Sequence, residues 1–390
     1  MKIMLLHKEL SWEGGGDRQS VMLATNLLKW GHQVTIYTTQ YNSQSCFPDI
    51  TKNLDIRPIG TYGNSKDAKK MANIICNIMY EKKESFDIIN CHVHPMQWTA
   101  SYISKMKKIP VVWMCNDLPA WYLPFVGIKE VNWIKWILYK TIIPLIDKLL
   151  IKRISAIVVF NRHDQQLIEN YYNKKAWIIH SGLDMEKFCD GNREAIRKLH
   201  NIEPDTILLL CVSLLGPRRR TQDVIISLKL LISKNYNVKL IVVGGEQHYP
   251  GYSEVIRQCA KENGVLEKVI LTGSVPEKQL PSYYAASDIF IYPHINQTWG
   301  LAPFEAMAAR KPTIVSTDTG AADVLINYQT ALLVKPKDPE LLAKKVVELI
   351  ENNDLRERLI KQGYDFVKKN ISWKKYTGEM LKVFKEVANL

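Results

Sequence analysis

Residues 288–308, DIFIYPHINQTWGLAPFEAMA, combine a buried strand, a polar loop and the start of a helix. The strand ends near Tyr292, the loop extends to Gly300, and Pro303 is tolerated in the first helical turn. Backbone N–H groups at such a helix start can hold a diphosphate, and the Glu305 carboxylate, set among apolar neighbours, can accept hydrogen bonds from both hydroxyls of a ribose. The stretch therefore predicts a nucleotide site beyond the carboxyl end of a strand.

The same alternation of strand and helix extends along most of the chain. Apolar runs predict strands at 2–7, 33–38, 87–91, 110–115, 155–160, 175–179, 206–213, 238–243, 268–272, 288–292, 312–316 and 331–334, and amphipathic segments predict helices that include 18–30, 67–83, 221–234, 253–263, 340–351 and 354–369. This order implies right-handed crossovers and parallel sheets. The polar stretch from Ser181 to Asp205 divides the chain nearly in half, which predicts two α/β units in series joined by this linker.

Composition and charge narrow the class of protein. The 390 residues are 46% hydrophobic and 23% charged, as in soluble globular proteins, and 52 Lys and Arg against 39 Asp and Glu give a net charge of +13. This surplus indicates a phosphate-bearing partner, which is nucleic acid, a nucleotide or an anionic membrane. Seven scattered cysteines indicate a reducing compartment, and no apolar run reaches the roughly 18 residues that span a bilayer. Residues 1–10 are too short an apolar stretch for a signal peptide, so a cytoplasmic location is expected.

Two further loops carry candidate ligand-binding residues. Gly14-Gly15-Gly16-Asp17-Arg18 follows the first strand, where glycines let the backbone approach a ligand; the alternative is a flexible turn. The segment Gly216–Thr221 contains Arg218, Arg219 and Arg220 directly after a strand. Guanidinium groups there can clamp phosphate oxygens, although three consecutive arginines are also typical of a solvated surface.

These segments resemble the retaining, nucleotide-sugar-dependent glycosyltransferases of family 4, over nearly the whole chain. The family's GGAER-like loop corresponds to Gly14–Arg18, its NG-D-F element to His180–Phe188, its G-x-L…KG element to Ser213–Thr221 and its Ex7E element to Gln297 and Glu305. The resemblance implies an α/β GT-B fold, in which two Rossmann-like domains with parallel sheets face each other across a cleft. It implies an acceptor-side domain at 1–185, a nucleotide-sugar-binding domain at 186–370, and a final helix at about 371–390 that packs back on the first domain.

The resemblance also implies the donor-binding residues. They are Gly15, Gly16, Arg219, Arg220, Gly244, Ser274, Val275, Gln297, Gly300, Leu301 and Glu305. Arg220 best matches the family's lysine because Asp223 follows three residues later, as in the family's KGxD form, and Arg219 is the alternative. Gln297 stands where the family has its first glutamate; its amide keeps an acceptor, adds two donors and loses the charge. The expected catalytic residues are His92, Arg220 and Gln297.

On the acceptor side, the resemblance places His92, and Asn116 and Asp117 follow a neighbouring strand at the same cleft. The alternatives are a histidine that caps a buried strand and an ordinary Asn-Asp-x-Pro turn. The resemblance implies no metal and no cofactor other than the nucleotide-sugar donor itself, and the chain has no Asp-x-Asp element.

The stretch from Lys105 to Arg153 has nine basic and three acidic residues, a net charge of +6, and contains Trp113, Trp121, Trp133 and Trp136. Lysines interleaved with aromatic and aliphatic residues are typical of a surface that lies in an anionic membrane interface. The alternative is a pair of helices packed on the core with their lysines in water. Nucleic-acid binding is not favoured, because the chain lacks a recognisable nucleic-acid-binding module.

The sequence therefore predicts a retaining glycosyltransferase that moves a hexose to a hydroxyl of a lipid-linked or glycan acceptor at the cytoplasmic face of a membrane. Mannose from GDP-mannose is the first candidate, because Tyr41–Pro48 resembles a stretch of dolichol-pathway mannosyltransferases. The alternative is a catalytically weak, sugar-nucleotide-binding subunit of a glycan-assembly complex, which Gln297 suggests.

Overall fold

The computed structural model describes residues 1–11, 14–60, 67–118 and 133–390, with side chains from residue 140 onward in the last range. The chain forms two compact units. Unit 1 comprises Met1–Gly182 and Trp373–Leu390, and unit 2 comprises Leu183–Ser372.

Among the described residues, unit 1 contains seven strands and the first six α-helices of the chain. The strands are β1 (Lys2–Leu10), β2 (Gln33–Tyr41), β3 (Asp55–Pro58), β4 (Ile88–His92), β5 (Val111–Met114), β6 (Ala156–Val159) and β7 (Ala176–Ile178). The helices are α1 (Gly15–Lys29), α2 (Pro48–Thr51), α3 (Ala68–Glu81), α4 (Met96–Lys107), α5 (Trp133–Ile151) and α6 (Arg162–Tyr172). The strands form one parallel sheet in the order β3-β2-β1-β4-β5-β6-β7.

Unit 2 repeats this plan with six strands. They are β8 (Ile207–Val212), β9 (Val238–Val243), β10 (Val269–Gly273), β11 (Ile289–Tyr292), β12 (Thr313–Ser316) and β13 (Leu332–Val334), in the parallel order β10-β9-β8-β11-β12-β13. The helices are α7 (Arg193–Leu199), α8 (Thr221–Ile232), α9 (Tyr252–Glu262), α10 (Leu280–Ala286), α11 (Ala302–Ala308), α12 (Pro339–Glu351) and α13 (Asn353–Asn370).

The last helix, α14 (Trp373–Ala388), belongs to unit 1. It packs against α1, and Asn26 Nδ2 donates a hydrogen bond of 3.1 Å to Thr377 Oγ1.

The strands are buried along nearly their whole length. All five residues of β4 and all four of β5 are buried, and four of the six in β8. Strands covered on both faces read as continuous apolar runs rather than as an alternation. The predicted α/β class with parallel sheets is therefore confirmed. No helix in the described ranges is long and apolar enough to cross a membrane.

Two parts of the structure differ from the sequence-based expectation. Strand β3 was not predicted, because its residues, DIRP, form no apolar run; it lies at the sheet edge, where Arg57 pairs with Asp55 and Glu84 at 2.7 Å each. The stretch from Ser181 to Asp205 is not simply a linker. It contains α7, whose arginines Arg193 and Arg197 bind the Asp288 carboxylate at 2.8 and 3.3 Å, and most of it is part of unit 2.

A third difference concerns the aromatic stretch at 105–153. Trp113 lies in β5 and is only 1% exposed, so it belongs to the core and not to an interfacial surface. Residues Trp121, Trp133 and Trp136 lie outside the described side chains.

The strand order determines where a ligand can approach each sheet. In unit 1 the direction of winding reverses between β1 and β4, and in unit 2 it reverses between β8 and β11. Ligands of open α/β sheets bind beyond the carboxyl ends of strands at such a reversal. The loops after these four strands carry most of the residues that the sequence singles out.

Candidate functional site

In unit 2, the loop after β8 and the loop after β11 contact each other through a backbone hydrogen bond. After β8 the chain forms a short 3-10 turn at Pro217–Arg219, and after β11 it crosses to the start of α11 at Ala302. The backbone N–H of Ile295 donates to the carbonyl oxygen of Arg218 at 2.9 Å. The arginine segment and the loop that precedes α11 are therefore held together beyond the carboxyl ends of β8 and β11.

Arg219 is the arginine that reaches the second loop. Its Nη1 donates to Oε1 of Gln297 and lies 3.4 Å from Nδ1 of His294. His294 is 2% exposed, and burial, followed by the nearby charge of Arg219, holds the pKa of its imidazole well below the usual value. Because the imidazole is neutral, its Nδ1 can accept from the guanidinium. Both partners of Arg219 in this group are thus neutral, so they orient the guanidinium without cancelling its charge.

Arg220 has a different environment. Its Nε and Nη2 donate to the two carboxylate oxygens of Asp223 at 2.8 and 2.5 Å, and the side chain of Asp223 is 5% exposed. Arg220 itself lies immediately before α8 with a φ of 52°. The spacing that placed Arg220 at the family's lysine position reflects this local ion pair. The contacts therefore favour Arg219, the alternative assignment, as the arginine that faces a ligand.

Glu305 lies in the short helix α11 and is 8% exposed. The hydroxyl of Tyr284, at 0% exposure in α10, donates to its Oε2 at 2.6 Å. Burial and the Glu305 carboxylate raise the pKa of the Tyr284 hydroxyl well above its usual value, so this group remains a donor. Leu301 precedes α11, and its carbonyl oxygen accepts from the N–H of Glu305 at 3.0 Å. The hydrogen bond from Tyr284 thus helps to hold the carboxylate in one orientation.

Two of the predicted glycines occupy positions closed to any side chain. Gly244 has a φ of 147°, and a Cβ atom there would lie 1.9 Å from the carbonyl oxygen of Ser213. Gly300 has a φ of 103°, and a Cβ atom would lie 2.3 Å from the hydroxyl of Tyr292. The positive φ and the close neighbour, which is backbone at Gly244 and the Tyr292 side chain at Gly300, both require glycine at these positions.

Ser274 and Val275 follow β10, which lies two strands away from β8 in the sheet. Ser274 is exposed, and its Oγ accepts from Nε2 of Gln247 at 2.9 Å. No hydrogen bond described for unit 2 ties these two residues to Arg219 or Glu305. Like Arg219, they lie beyond the carboxyl ends of the strands, but they are outside the group built around Arg219.

In unit 1, a buried histidine pair lies at the reversal between β1 and β4. His7 Nε2 is 2.7 Å from Oδ1 of Asp17, in the first turn of α1, and the His7 ring lies 6.1 Å from the ring of His92. His92 is 0% exposed, and its Nε2 bonds to Oδ1 of Asn90 at 2.8 Å. The amide nitrogen of Asn90 donates to the Val112 carbonyl, so His92 carries its proton on Nε2. Its Nδ1 is a buried acceptor with no partner among the described residues.

A second polar contact ties α1 to the loop after β5. Asn116 Nδ2 donates to Oε1 of Gln19 at 2.7 Å, and a Cβ atom on Gly16 would lie 3.6 Å from the same nitrogen. Gly15, at the first position of α1, has open space around it within the described ranges. Asp117 is exposed in the same loop. The structure therefore brings Gly16 next to Asn116, whereas Asp117 faces solvent.

The sequence-based reasoning missed His7, Gln19, Tyr284 and His294. His7 lies within a strand and Tyr284 within a helix, so neither stands in a loop where a binding residue is expected, and the sequence around His294 assigns it no role. Their signal is burial of a polar side chain, which the sequence alone does not display. Among the described residues, no three His, Cys, Asp or Glu side chains are grouped so that they could hold a metal ion.

The buried His294 gives the protein a measurable pH dependence. Its pKa is depressed in the folded state, whereas in the unfolded chain it takes up a proton below about pH 6.5. Since the unfolded state then binds more protons, the stability contributed by this residue is lost as the pH falls through 6.5. We expect the stability difference between wild type and His294→Gln to narrow as the pH falls from 7 to 5.

Urea unfolding of both proteins at the two pH values measures this effect. His163→Gln is the control, because the side chain of His163 is 74% exposed, and it should follow the wild type. A His294→Gln variant that loses as much stability on acidification as the wild type would contradict the assignment.

Two family models match the chain. The Glycosyltransferase Family 4 model matches residues 13–187, and the Glycosyl transferases group 1 model matches residues 192–366. The two matches correspond closely to unit 1 and unit 2. Together they include every loop described above, from Gly14 to Glu305.

Individual proteins and one solved structure extend this result. The capsular polysaccharide biosynthesis glycosyltransferase CapM of Staphylococcus aureus is 28% identical over 192 residues, 49% of each chain. A GDP-mannose-dependent alpha-(1-6)-phosphatidylinositol monomannoside mannosyltransferase of Mycobacterium tuberculosis is 27% identical over 202 residues, 49% of this chain and 51% of that protein. The chain thus spans about half the length of these two relatives.

The crystal structure of Anabaena HepE in complex with UDP and glucose has a TM-score of 0.80 to this chain, with 14% identity, and the match covers 99% of this chain and 100% of HepE. The likeness in fold extends over both units. The predicted GT-B fold class is therefore confirmed.

Proposed function

The chain belongs to glycosyltransferase family 4, with a group 1 glycosyl transferase domain as its C-terminal half, and from this premise we propose that it transfers a hexose from a nucleotide-sugar donor to a hydroxyl group of an acceptor. The donor is bound by unit 2 and the acceptor by unit 1. The proposal extends to GDP-mannose as the donor and to a lipid-linked or glycan acceptor at the cytoplasmic face of a membrane.

The arrangement around Arg219 is the observation that carries this proposal. Its guanidinium lies at the winding reversal of unit 2, oriented by the neutral side chains of Gln297 and His294. A glutamate at position 297 would form an ion pair with Arg219, whereas the glutamine leaves the full positive charge for a ligand. Such a preorganised cation stabilises the negative charge that develops on a leaving nucleoside diphosphate.

Glu305 is proposed to bind the ribose. Its carboxylate is buried and held by Tyr284, so it can accept hydrogen bonds from sugar hydroxyls without first being reoriented. Gly300 and Gly244, which also follow strands of unit 2, are proposed to let the backbone approach the donor closely. Gly15 and Gly16, at the start of α1, are proposed to contribute backbone N–H groups to the donor.

Little acid–base chemistry is required of the protein. The acceptor hydroxyl attacks the anomeric carbon from the face that the diphosphate leaves, and the departing phosphate oxygen takes up the hydroxyl proton, so that the anomeric configuration is retained. The buried Nδ1 of His92 is proposed to accept a hydrogen bond from a substrate hydroxyl. Burial, followed by the charge of His7, holds the pKa of His92 well below its usual value, which makes it a hydrogen-bond acceptor and a poor base. The reaction is proposed to need no metal ion.

Mannose and a glycan or lipid-linked acceptor are supported by the relatives. One carries GDP-mannose dependence and a phosphatidylinositol mannoside acceptor in its name, and another is named for capsular polysaccharide biosynthesis. HepE was crystallised with UDP and glucose, which supports a nucleotide-sugar donor as a class.

Thermal unfolding in the presence of a panel of UDP-, GDP- and ADP-sugars tests donor binding. A donor at 100 times its Kd stabilises the folded state by about 2.7 kcal/mol, so the true donor should raise the melting temperature clearly above the others. We expect GDP-mannose to give the largest rise. A larger rise with a UDP- or ADP-sugar would refute the mannose assignment, and no rise with any donor would refute nucleotide-sugar binding.

A further inference from the structure

Helix α5 in unit 1 has an exposed apolar face among its described side chains, from residue 140 onward. Four of its large aliphatic side chains are among the most exposed in the described chain, and they are Ile142 (46%), Leu145 (64%), Ile146 (43%) and Leu149 (58%). Their spacing of three and four residues places them along one side of the helix. We call this set the α5 face.

The opposite side of α5 is packed against unit 1. Asp147 is 0% exposed, and its carboxylate accepts from Nε1 of Trp98 in α4 at 2.5 Å and from the hydroxyl of Tyr172 in α6. Leu150 and Ile151 are also buried on this side. These contacts fix the rotation of the helix about its axis. The α5 face therefore points away from the core.

The exposed charges that the α5 segment itself carries from Lys148 to Arg153 are all positive. Between Lys140 and Arg153 the chain has one acidic residue, Asp147, which is fully buried. Lys148, Lys152 and Arg153 are exposed, and Nζ of Lys148 lies 4.2 Å from the centre of the Tyr171 ring. An apolar helix face whose own segment exposes cations and no acid complements a surface of hydrocarbon beneath anionic headgroups.

We propose that the α5 face rests in the interfacial layer of an anionic lipid bilayer, with Lys148, Lys152 and Arg153 at the level of the phosphates. A second copy of the chain is a weaker candidate for the occupant, because two such faces would bring like charges together. The helix lies on the membrane and does not cross it, in keeping with the absence of a membrane-spanning helix among the described residues. The inference deepens the proposed function by naming the surface that places the acceptor side of the protein against lipid.

Co-sedimentation of the full chain with vesicles tests the inference. Vesicles of phosphatidylcholine with about one third phosphatidylglycerol should bind the wild type, and pure phosphatidylcholine should bind it at least tenfold less tightly. The double variant Leu145→Glu/Leu149→Glu should lose at least tenfold in affinity for the anionic vesicles, because it removes the apolar contacts of two side chains with lipid and adds two negative charges.

The matched control places the same two charges on unit 2. Leu199 and Val255 are 63% and 48% exposed, and Leu199→Glu/Val255→Glu should bind vesicles less than threefold more weakly than wild type. Lys148→Gln/Lys152→Gln should weaken binding by about fivefold per lysine without changing the melting temperature. Equal binding of Leu145→Glu/Leu149→Glu and wild type, or equal binding to neutral and anionic vesicles, would overturn the proposal.

Two readouts keep this test separate from the proposed function. Vesicle binding is measured without a nucleotide-sugar, and donor turnover is measured without vesicles, so either can fail alone. Sedimentation velocity tests whether a second copy of the chain, instead of lipid, covers the α5 face. A monomeric wild type supports the lipid assignment, whereas a dimer that Leu145→Glu/Leu149→Glu dissociates would overturn it in favour of self-association.

Discussion

Replacing Arg219 with alanine is expected to lower donor turnover by about 10²–10³-fold. Arg219 presents a guanidinium that neutral neighbours orient but do not neutralise, at the point where the nucleoside diphosphate would leave. A preorganised charge of this kind acts mainly on the transition state, where negative charge appears on the leaving group. The loss should therefore fall on kcat, measured as nucleoside diphosphate released per second at saturating donor.

Arg220→Ala is the matched control, because it removes the same side chain one residue away. Its loss leaves the buried Asp223 carboxylate without its two hydrogen bonds, which should destabilise the protein by about 2 kcal/mol. Turnover at a temperature well below the melting transition should stay within about fivefold of wild type. If instead Arg220→Ala abolished turnover and Arg219→Ala did not, the assignment based on the sequence spacing would be right and ours wrong.

Glu305→Gln is expected to weaken donor binding by about 10–100-fold, equivalent to about 1.5–3 kcal/mol of hydrogen bonding to a charged group. Glutamine can still accept from the Tyr284 hydroxyl, so the local packing is kept. Its amide nitrogen can only donate, and it therefore cannot accept from a ribose hydroxyl as the second carboxylate oxygen is proposed to do. Titration of wild type and variant with the nucleoside diphosphate measures the change directly.

Glu357→Gln serves as the control for the charge alone, since Glu357 is an exposed acid on α13, and it should leave the affinity unchanged. Tyr284→Phe keeps the carboxylate but removes its restraint, so a smaller loss of about fivefold is expected. An affinity in Glu305→Gln equal to that of wild type would remove Glu305 from the ribose site.

The fold was readable from the sequence wherever burial produces a long apolar run. IINCH in β4 and ILLLCV in β8 have this character, because parallel strands are covered on both faces. The edge strand β3 was not predicted, because an edge tolerates charge and its Arg57 pairs both with Asp55 in the same strand and with Glu84, 27 residues away. Helix α7 was not predicted for a related reason. Its arginines pair with Asp288, which is more than 90 residues away in the chain.

The candidate site was only partly predictable. The loops after β1, β8 and β11 could be found because glycine and arginine stand at the ends of apolar runs, where ligands of parallel sheets bind. The choice between Arg219 and Arg220 could not be made, because adjacent side chains diverge according to backbone angles that spacing does not encode. The positive φ of Arg220 directs its side chain to Asp223 and leaves Arg219 to meet Gln297.

The polar cluster of unit 1 shows the same limit. His7 and His92 come together from strands that are neighbours in the sheet but about eighty residues apart in the chain. Neither histidine breaks the apolar pattern of its strand enough to be recognised as one of a pair. The proximity of these two buried rings becomes visible only when the strand order is known.

Release of nucleoside diphosphate from the best-binding nucleotide-sugar, followed over time with wild type and Arg219→Ala at equal donor occupancy, tests the central claim most directly. The account predicts steady release by the wild type, increased by a glycan or lipid-linked acceptor, and at least 100-fold slower release by the variant. Tight donor binding without release by the wild type would contradict it, and would identify the chain as a sugar-nucleotide-binding subunit instead.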